Sequence, residues 1–236
     1  KRTGGKKKPQ QTVDYVLAFS GDSAADATES YVKTDFNPDD FDLNLGFTVS
    51  YWVRPDEVGA TRFAFGRKHS NTQRFVFGIN KANQVYVGSG KNKLTNSFTS
   101  MGVPASQLDG TDLKTDGTWY HFTVTYADRP DTSSAAERRL YINGVHMDTG
   151  GSNINWNNTG GGTAGMLFGG RRLTGTGYNN GWACGVSQVA IFDTAQSDAW
   201  VEDIYNAGRT GTDFTGQNNL VGYWKFDHGS GTTVTD

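Results

Sequence analysis

The sequence predicts an all-β protein, mostly antiparallel, with one short helix near its C-terminus. Three segments of the 236-residue chain carry that expectation: Phe47 to Pro55, Asp116 to Tyr126 and Arg138 to Gly150. In the first, Phe47, Val49, Tyr51 and Val53 alternate with Thr48, Ser50 and Trp52. In the second, Tyr120, Phe122, Val124 and Tyr126 alternate with His121, Thr123 and Thr125. A period of two is that of strands resting one face on a core. In the third, Leu140-Tyr141-Ile142 turns through Asn143-Gly144 into Val145-His146-Met147. Both central residues of a type I′ turn need positive φ, which Asn-Gly supplies, so a tight hairpin is expected.

The remaining elements follow along the chain. Val13 to Asp22 reads as an entry strand, and Tyr31-Val32 restarts strand character after a small, polar stretch. Arg62 to Gly66, Arg74 to Asn80 and Gln84 to Gly88 give three more short strands, followed by a polar loop from Ser89 to Asp116. Asp128 to Glu137 reads as a loop. Asp148 to Gly165, rich in Asn and Gly, is expected as a long surface loop, where rigid scaffolds keep binding chemistry. The helix has Ser197 at its N-cap, an apolar stripe of Trp200, Val201, Ile204 and Tyr205, and Gly208 as its left-handed terminator. Its stripe is expected to pack on the edge of the sandwich.

Composition agrees. With 31 Gly, 13% aromatic and 35% hydrophobic residues, the chain suits short strands joined by glycine-rich turns. Its length fits one large β-sandwich, burying about 70% of the surface the unfolded chain exposes. No apolar run approaches the ~20 residues that span a bilayer, and no signal-peptide pattern is present. The start at Lys1 rather than Met suggests processing or a longer parent product. Cys184 is alone, so no intrachain disulfide forms, and a small buried thiol is expected. The net charge of −2 hides an asymmetry, since Lys1, Arg2, Lys6, Lys7 and Lys8 form a basic arm over residues 1–12. Removing those five from 22 Lys and Arg leaves 17 against 24 Asp and Glu, a balance of −7. The arm reads as a solvated tail, or as a contact to nucleic acid or a neighbouring subunit.

These phrases in this order resemble the laminin G-like branch of the concanavalin A-like jelly rolls. The resemblance rests on FTVSYWV, on the strand around Trp119 and His121, and on the LYINGV hairpin. It continues through LFGGRR (Leu167 to Arg172) and GVSQVAIF with its helix (Gly185 to Gly208). It implies an antiparallel jelly-roll β-sandwich over residues 13–219. Residues 220–236, in LVGYWKFDHGSGT, resemble the phrase that opens such a module, so they are expected as a final strand or the start of a following module. The resemblance also implies a structural Ca²⁺. Asp22 matches the acidic position after the first strand, but Ser187 and Gln188 stand where the family has two carboxylates. A site of Asp22 with carbonyl oxygens therefore stays open as an alternative.

No catalytic pattern accompanies the fold. The E-x-D-x-x-E strand of related glucanases is missing, and a retaining glycosidase needs two carboxyls ~5 Å apart. His69, His121, His146 and His228 have no metal-ligand spacing. The expectation is a protein without enzymatic activity. Ligand-binding candidates are Trp156 and Asn157 in the long loop, with Arg171, Arg172, Tyr178 and Asn180 in the next. Aromatic faces stack on sugar C–H surfaces, while Asn and Arg reach hydroxyls or carboxylates. Two functions fit: a recognition or adhesion module binding glycan or surface protein, or a structural virion subunit (decoration, capsid or appendage) contacting neighbours through the arm. Either places the chain outside the cell or on a particle surface.

Overall fold

A computed structural model describes residues 16–21, 31–40, 46–68, 74–79, 85–90, 113–127, 137–151, 165–172 and 178–226. In chain order the first strands are β1 (Leu17–Ser20), β2 (Val32–Lys33), β3 (Gly46–Pro55), β4 (Arg62–Lys68), β5 (Arg74–Ile79) and β6 (Val85–Gly90). Next come β7 (Tyr120–Ala127), β8 (Glu137–Ile142), β9 (Val145–Gly151), β10 (Leu167–Phe168), β11 (Arg171–Arg172) and β12 (Tyr178–Asn179). β13 (Ala183–Phe192), the helix α1 (Asp198–Ala207) and β14 (Leu220–Trp224) complete the order.

The strands form two sheets. In the first the order is β1-β13-β3-β7-β8-β9, with β14 also paired to β13. Because β3 pairs β13 along most of its length, β1 and β14 share the opposite side, lying end to end. In the second the order is β12-β11-β4-β10-β2, extended by β5 and β6. Among the described residues, strand pairing is antiparallel except where β11 meets β4 in parallel, Arg172 opposite Arg67, and an isolated parallel bridge joins Phe63 to Gly181. The expected antiparallel sandwich is therefore present, with Leu220–Trp224 as one of its strands.

The core lies between the sheets. The inward sets expected from alternation are all there: Phe47, Val49, Tyr51 and Val53 from β3, and Phe122, Val124 and Tyr126 from β7. They meet Phe65, Phe75, Phe77 and Phe168 of the second sheet. Tyr51 joins the layers edge-on, its ring 4.9 Å from Phe65 and 5.6 Å from Phe122. Such pairs add about 0.5–1.5 kcal/mol each beyond area burial. Cys184 is in this core, and burial pushes its thiol pKa well up, so it is an unreactive packing residue.

Tyr51 also carries a buried hydroxyl with no hydrogen-bond partner among the described residues. Burial raises its pKa, so the group stays neutral. An unmatched buried hydroxyl costs about 1–3 kcal/mol. Tyr51→Phe should therefore leave stability unchanged or raise it by about 1 kcal/mol in urea unfolding. A loss above that size would mean the hydroxyl has a partner.

The helix departs from expectation. Ser197 caps it as expected, its Oγ accepting from the Trp200 N–H at 3.2 Å, and Gly208 ends it at φ 76°. Yet the stripe covers the outer face of the first sheet, not its edge. Ile204 and Trp200 join Ala190, Phe192 and Phe214 in a second, smaller core. Tyr205 stacks on Trp52 at 5.9 Å, and Trp52 lies 5.0 Å from His121. Thr48, Ser50, His121 and Thr123, which the pattern would place toward solvent, are buried beneath this layer.

Two local features fix the layer in place. Thr48 Oγ1 donates to the Thr194 carbonyl and accepts from the Gln196 N–H, both at 2.8 Å. The hairpin turn has Asn143 at φ 52° and Gly144 at φ 77°, as expected, and a Cβ at Gly144 would meet the Tyr205 ring at 3.0 Å. Glycine there serves both the turn and the close approach of the helix. A further difference is β9, which runs to Gly151 and so takes the first four residues of the expected Asp148–Gly165 loop into the sheet. Among the described residues no helix is long and apolar enough to cross a membrane.

Candidate functional site

Alternation along β8 places Leu140 and Ile142 in the core and leaves Glu137, Arg139 and Tyr141 for the outer face. The register sets Arg139 opposite Thr125 and Glu137 opposite Ala127 of β7. The start of α1, held to β3 through Thr48, passes beside them. Between helix and strands lies an open groove of about 450 Å³, bordered by Thr125, Glu137, Arg139, Tyr141, Gln196 and Asp198.

A polar network organises it. Arg139 donates from Nε to Glu137 Oε1 and from Nη1 to Asp198 Oδ1, the latter at 2.7 Å. The Tyr141 hydroxyl donates to the same Asp198 oxygen at 2.7 Å. Asp198 opens the helix, where the N-terminal dipole favours a carboxylate. Its pKa is held below the usual carboxylate range, first by the Tyr141 hydrogen bond and then by Arg139. The Glu137 hydrogen bond raises the pKa of Arg139. With side-chain exposures of 37% for Arg139 and 61% for Asp198, the ion pair contributes little to stability. It orients polar atoms at the surface. Behind it the His146 ring packs 5.3 Å from Tyr141, with Nε2 2.9 Å from Thr149 Oγ1.

Glu137 and Asp198 are two carboxylates at one groove, a juxtaposition the sequence did not suggest. Glycoside cleavage by such a pair needs one of them protonated, with its pKa raised. Here Arg139 bridges both, and Asp198 is shifted the opposite way. The arrangement suits hydrogen bonding rather than proton donation.

The residues chosen from sequence fall elsewhere. Trp156, Asn157, Asp22 and the basic arm lie outside the described residues. The backbone of Arg172 pairs with Tyr178, and that of Arg171 with Asn179, in an edge hairpin of the second sheet, beside β4. Asn180 adjoins it at φ 55°, its Nδ2 donating to the Thr61 carbonyl at 3.1 Å and its own carbonyl accepting from Phe63. These positions share one edge of the other sheet, away from the groove.

Ser187 pairs with Trp52, and β13 then bulges through Gln188, at φ 52°, and Val189. Ser187 and Gln188 are buried, and Gln188 Oε1 accepts from the Tyr223 hydroxyl. No three His, Cys, Asp or Glu side chains gather as metal ligands among the described residues.

A family profile described as the concanavalin A-like lectin/glucanases superfamily (Laminin G 3) matches residues 26–202. The chain belongs to this superfamily. Solved structures similar to it share the sandwich at low identity. A candidate carbohydrate-binding protein of Bacteroides ovatus superposes with a TM-score of 0.59 at 16% identity, over 92% of this chain and 54% of its own. The CBM40 of the Ruminococcus gnavus IT-sialidase gives 0.53 at 12%, over 81% and 97%. The binding domain of botulinum neurotoxin DC, solved with rat synaptotagmin II, gives 0.54 at 15%, over 81% and 45%. The chain thus spans about half the length of the Bacteroides ovatus protein. Comparison with curated protein sequences returns no match.

Proposed function

We propose that this superfamily member is a non-catalytic recognition module that binds glycan or protein at a cell or particle surface. The observation that carries the reading is the groove, whose carboxylates are both tied to Arg139 while polar atoms still face solvent. That chemistry grips hydroxyls and amides without supplying a general acid. Neighbours named for carbohydrate binding or as toxin binding domains support the same class of role. The structural-subunit alternative leans on the basic arm and gains nothing from the described residues.

A glycan array, followed by calorimetry with and without added Ca²⁺, tests the reading. Saturable binding to a defined set of glycans is expected. Absence of binding to every glycan and to a panel of cell-surface proteins would overturn it. Calcium dependence would point to a metal site assembled with residues such as Asp22.

A further inference from the structure

We infer that the groove between β8 and the start of α1 takes a neutral sugar, holding adjacent hydroxyls between Asp198 and Arg139, and disfavours carboxylated or sulfated glycans. This rests on the recognition reading above and gives it a place and a ligand class.

Both hydrogen bonds that Asp198 accepts from described residues end on Oδ1, and its side chain, which borders the groove, is 61% exposed, so Oδ2 keeps its capacity to accept from a ligand. Arg139 has five N–H donors, of which Nε and Nη1 serve Glu137 and Asp198. An acceptor and a donor group thus stand side by side, already fixed by the bonds between them. A sugar hydroxyl donates one hydrogen bond and accepts others, so two neighbouring hydroxyls can use both groups at once. Bonds to charged groups are stronger than neutral ones, and the network is ordered before the ligand arrives. The space, about 450 Å³, is within the range of small-molecule pockets.

Charge sets the selectivity. One guanidinium faces two carboxylates, and the helix N-terminus adds only about half a positive charge. An anionic sugar would enter a site that is net negative, and it would compete with Asp198 and Glu137 for Arg139. Gln196 at the margin is neutral and suits a hydroxyl. Tyr141 is only 1% exposed, so its ring offers no stacking face and selectivity falls to the hydrogen bonds.

The test is an array of neutral oligosaccharides with their sialylated, uronic-acid and sulfated counterparts, probed with the unaltered protein and with Arg139→Ala, Asp198→Ser and Ala199→Gln. Ala199 is exposed on α1 beside the groove, so Gln there fills the space while keeping the ionic network and the helix. The unaltered protein should prefer neutral glycans, and each variant should weaken that binding at least tenfold with an unchanged near-UV circular dichroism spectrum. If Arg139→Ala unfolds, Ala199→Gln decides alone. Variants that bind as well as the parent, or a parent that prefers acidic glycans, would overturn the inference while leaving recognition intact. A parent that binds no glycan would overturn the inference, and the recognition reading falls with it only when the panel of cell-surface proteins also shows no binding.

Discussion

Replacing Trp52 with Ala should destabilise the protein by about 3–5 kcal/mol, the cost of deleting a large buried aromatic side chain. Trp52 is on the outer face of β3, 7% exposed, between the His121 ring and the stacked Tyr205 ring. Its Nε1 has no hydrogen-bond partner among the described residues, so its contribution is packing. Loss of the indole would leave a void where α1 docks, and Asp198 rides on that helix. Glycan binding should therefore weaken in the same variant, although Trp52 does not border the groove. Trp119 makes a useful contrast. It is half-exposed, with the Arg209 guanidinium 4.3 Å from its ring centroid, and Trp119→Ala should cost only about 1 kcal/mol. Denaturant unfolding of both variants measures the difference. A Trp52→Ala loss below that of Trp119→Ala would mean the helix layer is not part of the cooperative unit.

The second large effect is on pH. Burial lowers the His121 pKa from 6.5 to about 3. Its Nε2 is 2.8 Å from Ser50 Oγ, its Nδ1 has no partner among the described residues, and neutral Trp52, Tyr205 and Thr123 surround it. The unfolded chain takes up a proton near pH 6.5 while the folded one resists until about pH 3. Stability from this group is therefore full above pH 6.5 and declines as pH falls toward 3. At pH 5 the loss should reach about 2 kcal/mol. Asp116, Asp198 and Asp213 have lowered pKa values, so their contributions disappear only below the ordinary carboxylate range near 3.8. Among the described groups with shifted pKa values, His121 is the one that acts between pH 6.5 and 4.5. His121→Phe should flatten the stability profile there, and a slope that persists in that variant would assign it to other groups.

Strands and turns were largely legible from the residues because they depend on local pattern. Phe47 to Val53 and Tyr120 to Tyr126 alternate as the core requires, Asn143-Gly144 makes its turn, and Ser197 and Gly208 bound the helix. The outer layer was not legible. Thr48, Ser50 and His121 are polar and read as a solvent face, yet their partners lie 146 and 71 residues away. The groove was hidden for the same reason, since Arg139 and Asp198 are 59 residues apart. Asp148 to Gly151 read as loop because Asp and Gly carry little strand signal, but β9 pairs through its backbone. The only local clue to the groove was an outward-facing Arg139 in a strand and an acidic first residue in the helix.

Binding without turnover is the claim on which the functional account stands. The direct measurement is to incubate the protein with the neutral oligosaccharide it binds best on the array, then recover the sugar after a day and weigh it by mass spectrometry. The account predicts an unchanged mass at a concentration where calorimetry shows the groove saturated. Shorter oligosaccharides in the recovered sample, absent when Asp198→Ser replaces the parent, would contradict it and make the Glu137–Asp198 pair catalytic.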